Sequence, residues 1–329
     1  MKTILAGIDV SADSLVVALK TPRQSRLLEF PNDPAGHRKL RRHLTRGGYS
    51  ARVCLESTGV YGLDAALALH DSLRIEVMVA NPRAVSDFAR ARFQRSKTDT
   101  ADAATILEFL ERMPFDTWSP PAQEILDLRA ISRRIRALNV NIARERNRLH
   151  AARRQGRLTP HIQDDILAHI AHLKASVDRL TRNALEIVEE EPDLRRKLQQ
   201  LVSIRGIARA SAVAILAELA VLPPDMEARQ WVAHAGLDPR HYESGSSVHK
   251  PARISKTGNR RLRAALFMPA MVAARHDPHV RAFYTKLIER GKKPLQALVA
   301  VMRKLLHAIH GMFSKNQDFD GERFYALNA

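Results

Sequence analysis

The sequence predicts an α/β domain followed by a mostly helical region. Residues 3–30 contain three short apolar runs separated by turns, and helical and strand patterns then alternate up to residue 80. From about residue 124, apolar residues recur at heptad spacing through two long segments. The chain from residue 193 onward alternates apolar helical patterns with polar connections. We therefore expect a sheet domain at 1–120, a helical hairpin at 121–192 and a C-terminal domain at 193–329.

The N-terminal pattern predicts a mixed sheet with helices on its faces, because a meander of strands precedes the alternation of helix and strand. Five strands are predicted, at 3–10, 14–20, 25–30, 51–56 and 74–80. Helical patterns occupy residues 34–46 and 62–72. Thr98 is a predicted N-cap for a further helix, and the stretch "SPPAQ" at 119–123 marks the domain boundary.

The composition points to a polyanionic partner. The chain has 329 residues with 53 Lys+Arg against 35 Asp+Glu, a formal charge of +18, for which nucleic acid is the expected partner. A polybasic membrane surface is the alternative, but no apolar run approaches the roughly 18–20 residues of a membrane span. The single cysteine, Cys54, excludes an internal disulfide and a cysteine-based zinc site. We expect a cytoplasmic, nucleoid-associated protein without a membrane.

Four carboxylates occupy positions that suggest a metal site. Asp9 lies in the first strand among apolar residues, where a carboxylate is costly unless it is paired or bound to metal. Glu56 ends the fourth strand, and open α/β sheets bind ligands at the carboxyl ends of strands. Asp99 and Asp102 share one face of the helix that follows Thr98. The alternatives are a turn-capping aspartate, a solvated edge glutamate and two acids that complement a helix dipole.

Two segments predict an antiparallel coiled-coil hairpin. Leu128, Ile135, Ile142 and Leu149 recur every seven residues, as do apolar residues of a second segment that ends at Pro192. The first segment is rich in arginine, which is typical of a phosphate-contacting surface and also occurs on an ordinary solvated helix face. These arginines are Arg129, Arg133, Arg134, Arg136, Arg144, Arg146, Arg148, Arg153 and Arg154.

The stretch 198–220 resembles a helix-hairpin-helix, a module that offers backbone N–H groups and basic side chains to phosphate. Gly206 permits its tight turn, and Arg205 and Arg209 are candidate phosphate contacts. The alternative is an ordinary helical hairpin in a core. The final residues, from about 314, are expected to be poorly ordered.

A polar segment between two helical patterns contains Tyr242, Ser244, Ser246 and Ser247. It is predicted to be a loop that either contacts phosphate or supplies a nucleophile for DNA phosphorus. Chemistry alone does not choose among these hydroxyl groups. Six surrounding basic residues are candidate nucleic-acid contacts: Arg240, Lys250, Arg253, Lys256, Arg260 and Arg261.

The motifs "GIDVS", "LESTGVYG" and "KTDTADA" resemble a ribonuclease-H-like fold of the Holliday-junction-resolvase (RuvC-like) type. Together with "YESGSS", they make the whole chain similar to the DEDD transposases of insertion sequences, a family of bridge-RNA-guided recombinases. The resemblance implies that Asp9, Glu56, Asp99 and Asp102 bind Mg²⁺ in a two-metal site. It also implies that Ser244 is the nucleophile.

The resemblance further implies a transposase that cuts and rejoins DNA through a phosphoserine intermediate. Its DNA substrates would be the ends or circular form of the element and a target. A bridge RNA would pair with both DNAs, and pairing would read sequence where the protein reads shape. A homodimer or homotetramer would combine the carboxylates of one protomer with the serine of another.

Three other functions fit parts of the sequence. A hydrolytic junction nuclease would use the four carboxylates with water and would still cut after Ser244→Ala. An actin-like sugar kinase is suggested by "GIDVS" and "STGVYG", although the charge and the missing second phosphate loop oppose it. A non-catalytic nucleic-acid-binding protein would tolerate Asp99→Asn.

Overall fold

The computed structural model describes residues 3–21, 24–56, 61–93, 98–154, 156, 158–244 and 248–327, without the side chains of 241–252. The chain divides at Pro120 into two units, Met1–Pro120 and Pro121–Ala329. Among the described helices, none combines the length and apolar composition that a bilayer crossing requires.

The first unit contains a five-stranded mixed sheet in the order β3-β2-β1-β4-β5. β1 pairs antiparallel with β2 and parallel with β4, while β2–β3 is antiparallel and β4–β5 is parallel. This confirms the predicted mixed sheet and is consistent with a ribonuclease-H-like fold. The strands are β1 (Thr3–Val10), β2 (Ser14–Lys20), β3 (Ser25–Pro31), β4 (Ser50–Glu56) and β5 (Ile75–Ala80).

Helices cover both faces of this sheet. The four helices are α1 (Pro34–Thr45), α2 (Tyr61–His70), α3 (Pro82–Ala91) and α4 (Asp99–Arg112). Ile4, Ala6 and Ile8 of β1 share a buried cluster with residues of α1 and α2. Leu5, which points to the opposite face, packs with residues of α4. The alternation of β1 therefore assigns its odd-numbered residues to the face covered by α4.

The second unit is mostly helical, as predicted. Proline at the first position begins α6, α7, α11 and α12, where its missing N–H has no helical partner in any case. The elements are α5 (Gln123–Arg154), α6 (Pro160–Glu190), α7 (Pro192–Ser203), α8 (Arg209–Leu219), α9 (Ala228–His234), β6 (Pro239–Ser244), β7 (Val248–Ile254), α10 (Arg260–His276), α11 (Pro278–Glu289), α12 (Pro294–Lys315) and α13 (Gly321–Phe324).

The two long helices α5 and α6 pack along each other. Leu138 and Ile142 of α5 form a small buried cluster with Ile170 and Leu173 of α6. Nearer Pro120, Leu128 instead joins the large core built by α7 to α13. The long helices therefore share a core with the rest of the second unit, and their separation as a domain at 121–192 stays a prediction.

Residues 314–327 pack against the helical core, so the expectation of a poorly ordered end was wrong for this described part of it. Phe324 is only 3% exposed and its ring lies 5.9 Å from that of Phe283, centroid to centroid. Gln200 donates hydrogen bonds to the carbonyls of Met312 and Gln317, at 3.0 Å each. The aromatic residues of this polar stretch fill the core, and that burial outweighs the ordering entropy.

The polar segment predicted as a loop is a two-stranded antiparallel hairpin, β6–β7. It escaped sequence-based prediction because its alternating residues are mostly polar and present no apolar stripe.

Candidate active site

Asp9 is the next-to-last residue of β1, and Glu56 is the last residue of the neighbouring strand β4. β1 and β4 are parallel, and the last registered pair between them is Ile8 with Leu55. Asp9 and Glu56 each follow that pair by one residue, so the two carboxylates are neighbours at the carboxyl end of the sheet. Both side chains are half-buried. The sheet thus supplies two acids at the edge where open α/β sheets bind ligands.

Helix α4 lies directly over this part of the sheet. Gly7 of β1 is so close to α4 that a Cβ there would meet the backbone N of Leu107 and would lie 2.5 Å from the carbonyl O of Ala103. Asp9 is two residues beyond Gly7 and points to the same face. Cys54 pairs with Gly7 and packs against Ile106 of α4, so Glu56 also points toward α4.

The first turn of α4 carries the other two acids. Thr98 caps the helix as predicted, because its Oγ1 accepts a hydrogen bond from the Ala101 N–H at 3.2 Å. Asp99 is exposed and Asp102 is half-buried. Asp102 directly precedes Ala103, the residue whose carbonyl faces Gly7. Topology therefore brings all four predicted carboxylates to one face and one end of the sheet.

The four carboxylates do not form a closed ligand set. Within the described ranges, no three acidic, histidine or cysteine side chains are grouped closely enough to hold a metal ion. The donor chemistry is that of a hard cation, since carboxylate oxygens suit Mg²⁺. Cys54 is not a thiolate donor, because burial, with a smaller contribution from the charge of Glu56, raises the pKa of its thiol to about 12.

Ser244 is the last residue of β6 and pairs with Val248 across the hairpin. Tyr242 lies within the strand, opposite Lys250. Ser246 and Ser247 are outside the described residues. The sequence-predicted nucleophile is therefore placed at the end of the hairpin, and the choice of Ser244 over the other hydroxyl residues stays a prediction.

The predicted basic contacts flank the base of this hairpin. Arg240 and Arg253 are cross-strand partners, and both side chains are exposed. Lys256 is exposed and has a left-handed backbone, with φ of 54°. Arg260 and Arg261 are exposed in the first turn of α10. The side chain of Lys250 is outside the description.

The proposed helix-hairpin-helix turn packs against α10. Gly206 has φ of +113°, and a Cβ there would lie 2.8 Å from the Ala273 backbone N. Arg205 donates a hydrogen bond to the carbonyl of His276 at 3.0 Å, and Arg209 lies 3.7 Å from a carboxylate oxygen of Glu189. Both arginines have partners within the chain, and their contact with phosphate stays a prediction.

A buried polar network near the hairpin was not predicted. Glu218 of α8 is only 2% exposed and accepts two hydrogen bonds from Arg133, at 3.0 and 3.1 Å. Its second oxygen also accepts from the Asn259 amide at 2.8 Å. The sequence signal was a lone acid in the apolar run "AVAILAELA". Two of the arginines predicted to contact phosphate, Arg129 and Arg133, point to this acid instead.

The surroundings of Glu218 and His234 lower the pKa values of both side chains. Burial alone would raise the pKa of Glu218, but hydrogen bonds from Arg133 and Asn259 and nearby arginine charges hold that pKa below its ordinary value. Burial, followed by the charge of Arg129, lowers the pKa of His234. Neutral His234 and ionised Glu218 are therefore the favoured states at neutral pH.

A cleft of about 390 Å³ opens beside the network, between α5, α8 and α10. Arg136 and Arg261 contribute cationic groups to its lining, while Val213, Met268 and Pro269 contribute apolar surface. Its charge is suited to an anion.

Comparisons with known proteins identify the family. A model of IS110-type DEDD transposases, described as "Transposase", matches residues 6–155, and a model described as "Transposase IS116/IS110/IS902 family" matches residues 198–285. The chain belongs to the IS110 family of transposases. It is accordingly an enzyme that acts on DNA. The first match includes the four carboxylates, and the second includes Ser244, Glu218 and Asn259.

The transposase is similar along most of its length to curated proteins. It is 25% identical to the pilin gene-inverting proteins of Moraxella lacunata and Moraxella bovis, over 97% of this chain and 98% of each relative. It is also 25% identical to an uncharacterized 42 kDa protein of insertion element IS900 from Mycobacterium paratuberculosis, over 93% of this chain and 82% of that protein.

Proposed function

We propose that the transposase cuts and rejoins DNA strands through a covalent phosphoserine at Ser244, assisted by Mg²⁺ held by Asp9, Glu56, Asp99 and Asp102. The observation that carries this proposal is the placement of four carboxylates at one end and on one face of the sheet. Cations bound by these carboxylates would offset the mutual repulsion of their closer approach. Bound Mg²⁺ would stabilise charge on the attacking and leaving oxygens.

The proposed chemistry conserves the number of phosphate ester bonds. Ser244 Oγ forms a bond to phosphorus, and its proton passes to solvent. The bond from phosphorus to one deoxyribose oxygen breaks, and that oxygen leaves as a hydroxyl after taking a proton. A hydroxyl from another strand then attacks the same phosphorus and releases the serine. Rejoining therefore needs no external energy source.

Cationic surfaces in the second unit support binding of the nucleic acid. Arg260 and Arg261 stand at the positive end of the α10 dipole, where cations are unfavourable for the helix itself. Their position is better explained by an anionic partner. Arg240 and Arg253 extend this charge along the hairpin. We further infer that α5 and α6 form an antiparallel coiled coil whose exposed arginines contact phosphate, and that α7 and α8 act as a helix-hairpin-helix.

Guidance by a bridge RNA and a composite site in a dimer or tetramer complete the proposal. The net charge of +18 accommodates two nucleic acids. An RNA that pairs with donor and target DNA would supply the sequence recognition, while the protein would read the shape of the paired nucleic acids. The carboxylates and Ser244 belong to different units, which is compatible with a site assembled from two protomers.

A covalent-trapping assay tests the chemistry. Protein is mixed with Mg²⁺, labelled DNA from the end of the element and RNA transcribed from the flanking region, and labelled protein is sought on a denaturing gel. We expect an adduct with wild type and none with Ser244→Ala or Asp102→Asn. Ser246→Ala and Asp71→Asn are matched controls, because Asp71 is an exposed acid after α2 and is not one of the four carboxylates.

Three results would decide against parts of the proposal. An adduct that persists in Ser244→Ala would assign the nucleophile to another residue. Cleaved DNA without an adduct would indicate hydrolysis by water, as in a junction nuclease. An adduct of equal yield without RNA would remove the need for a guide at the cleavage step.

A further inference from the structure

The Asn259 side chain joins Glu218 to the start of α10. Its Oδ1 accepts hydrogen bonds from the N–H groups of Arg261 and Leu262, at 2.9 and 3.0 Å, and so caps the helix. Its Nδ2 donates to Glu218 at 2.8 Å and also lies 3.3 Å from His234 Nε2, so Glu218 is its shorter contact. Because an amide has one acceptor and one donor end, the bond to Glu218 fixes which end faces the helix. Glu218 thereby orients the cap.

The same asparagine closes the segment that contains the hairpin. Its backbone N–H donates to the carbonyl of His234 at 2.6 Å, which ties the start of α10 to the end of α9. Gly258 has φ of +110°, and a Cβ there would meet the same carbonyl. The two ends of the segment 235–258, which includes β6 and β7, therefore lie next to each other at the helical core.

Further hydrogen bonds hold the base of the hairpin. The Ser255 hydroxyl donates to Asp238 Oδ1 at 2.6 Å, and the Ser255 N–H donates to the carbonyl of Asp238 at 2.9 Å. The Lys256 N–H donates to the carbonyl of Gly236 at 3.1 Å. The left-handed conformations of Lys256 and Gly236 are thus held by backbone pairing.

Arg133 connects this base to α5. Its guanidinium contacts both oxygens of Glu218, a bidentate geometry that restricts rotation of the carboxylate. A buried ion pair is a weak source of stability, since desolvation offsets much of the attraction, but it can fix a geometry. The network is therefore suited to fixing the relative positions of the segments that it joins.

We propose that Glu218, acting through Asn259, is a positioning residue for the β6–β7 hairpin, in which Ser244 is the last residue of β6. This inference rests on the proposed function, because the position matters for strand transfer only if the hairpin carries the nucleophile. Arg133 extends the same link from Glu218 to α5.

A double substitution that exchanges the acid and amide groups of Glu218 and Asn259 tests the link between these two residues. Glu218→Gln replaces one carboxylate oxygen with an NH2 group, so the N–H donors of Arg133 and Asn259 compete for a single acceptor and the hold on the cap should weaken. Adding Asn259→Asp restores a donor–acceptor pair with reversed direction, and the new carboxylate still caps α10. Glu186→Gln, at an exposed position of α6, is the matched control. Purified full-length proteins are compared by hydrogen–deuterium exchange and by single-turnover adduct formation.

We expect faster exchange in peptides covering 236–244 and 248–259 for Glu218→Gln, with slow exchange restored in the exchanged pair. The rate of adduct formation should fall about 10–100-fold, since a displacement of about 1 Å has such effects, while DNA affinity stays the same. Unchanged hairpin exchange in Glu218→Gln, or loosening throughout the second unit, would overturn the inference. If wild type forms no adduct, the serine mechanism fails, while the exchange data still decide whether Glu218 holds the hairpin.

Discussion

At the scale of the residue, Gly7 controls how closely α4 can approach the sheet. A Cβ at this position would collide with backbone atoms of Leu107 and Ala103, which cannot move without the whole helix. We expect Gly7→Ala to lower the free energy of unfolding by about 1–3 kcal/mol, as overpacking does, and to reduce adduct formation by displacing Asp99 and Asp102. Urea unfolding and the trapping assay measure these effects.

The matched control is Gly311→Ala in α12. No atom lies within 4 Å of a Cβ built there. Alanine in a helix interior is favoured over glycine by about 0.5–1 kcal/mol, so this variant should be slightly more stable than wild type. Equal effects of the two substitutions would show that close packing at Gly7 is not the cause.

His234 predicts a pH dependence of stability. Its pKa is lowered from the ordinary value of 6.5 in the folded protein, chiefly by burial, so the unfolded chain binds this proton more tightly. Stability should therefore fall as the pH drops below 6.5 and stop falling once the pH passes the folded pKa. Urea unfolding at several pH values should show a weaker decline for His234→Gln than for wild type. The control, His172→Gln, replaces an exposed histidine of α6.

At the scale of the element, we expect the arginines of α5 to have two separate roles. Arg133→Ala should lower the free energy of unfolding by about 3–5 kcal/mol, because it leaves the carboxylate of Glu218 buried without its main partner. Arg144→Ala, at an exposed position, should leave stability unchanged. If Arg144 contacts a phosphate, its loss should reduce the slope of log affinity against log salt by about 0.9. Unfolding curves and salt titrations of DNA and RNA binding separate the two roles.

Local patterns were enough to predict most elements, but not the contacts between distant ones. Asp9 could be placed in the first strand and Glu56 at the end of the fourth, because apolar runs define those strands. The Glu218 network could not be predicted, since Arg133, Glu218 and Asn259 come from separate helices and meet only after folding. Phe324 was missed because one buried aromatic in a polar stretch gives no periodic signal. The choice of Ser244 came from the family resemblance, since chemistry alone does not distinguish among the hydroxyl groups of that segment.

At the scale of the whole molecule, the proposed chemistry is divided between two units. The carboxylates lie in the first unit and Ser244 in the second. If an active site combines two protomers, a mixture of Asp102→Asn and Ser244→Ala proteins should form the adduct although neither does alone. Each mixed dimer would contain one intact site, so the yield should be a fraction of wild type. A site built within one protomer predicts no adduct in the mixture.

The single cysteine offers a way to time motions of α4, the helix that carries Asp99 and Asp102 of the proposed site. Cys54 lies beneath α4, fully buried, and its thiol stays protonated at neutral pH. Alkylating reagents need an accessible thiolate, so the folded chain should be nearly inert to them. The slow rate of Cys54 alkylation would then report how often α4 moves away from the sheet. Comparison of that rate with and without Mg²⁺ would reveal whether the cation locks the helix in place.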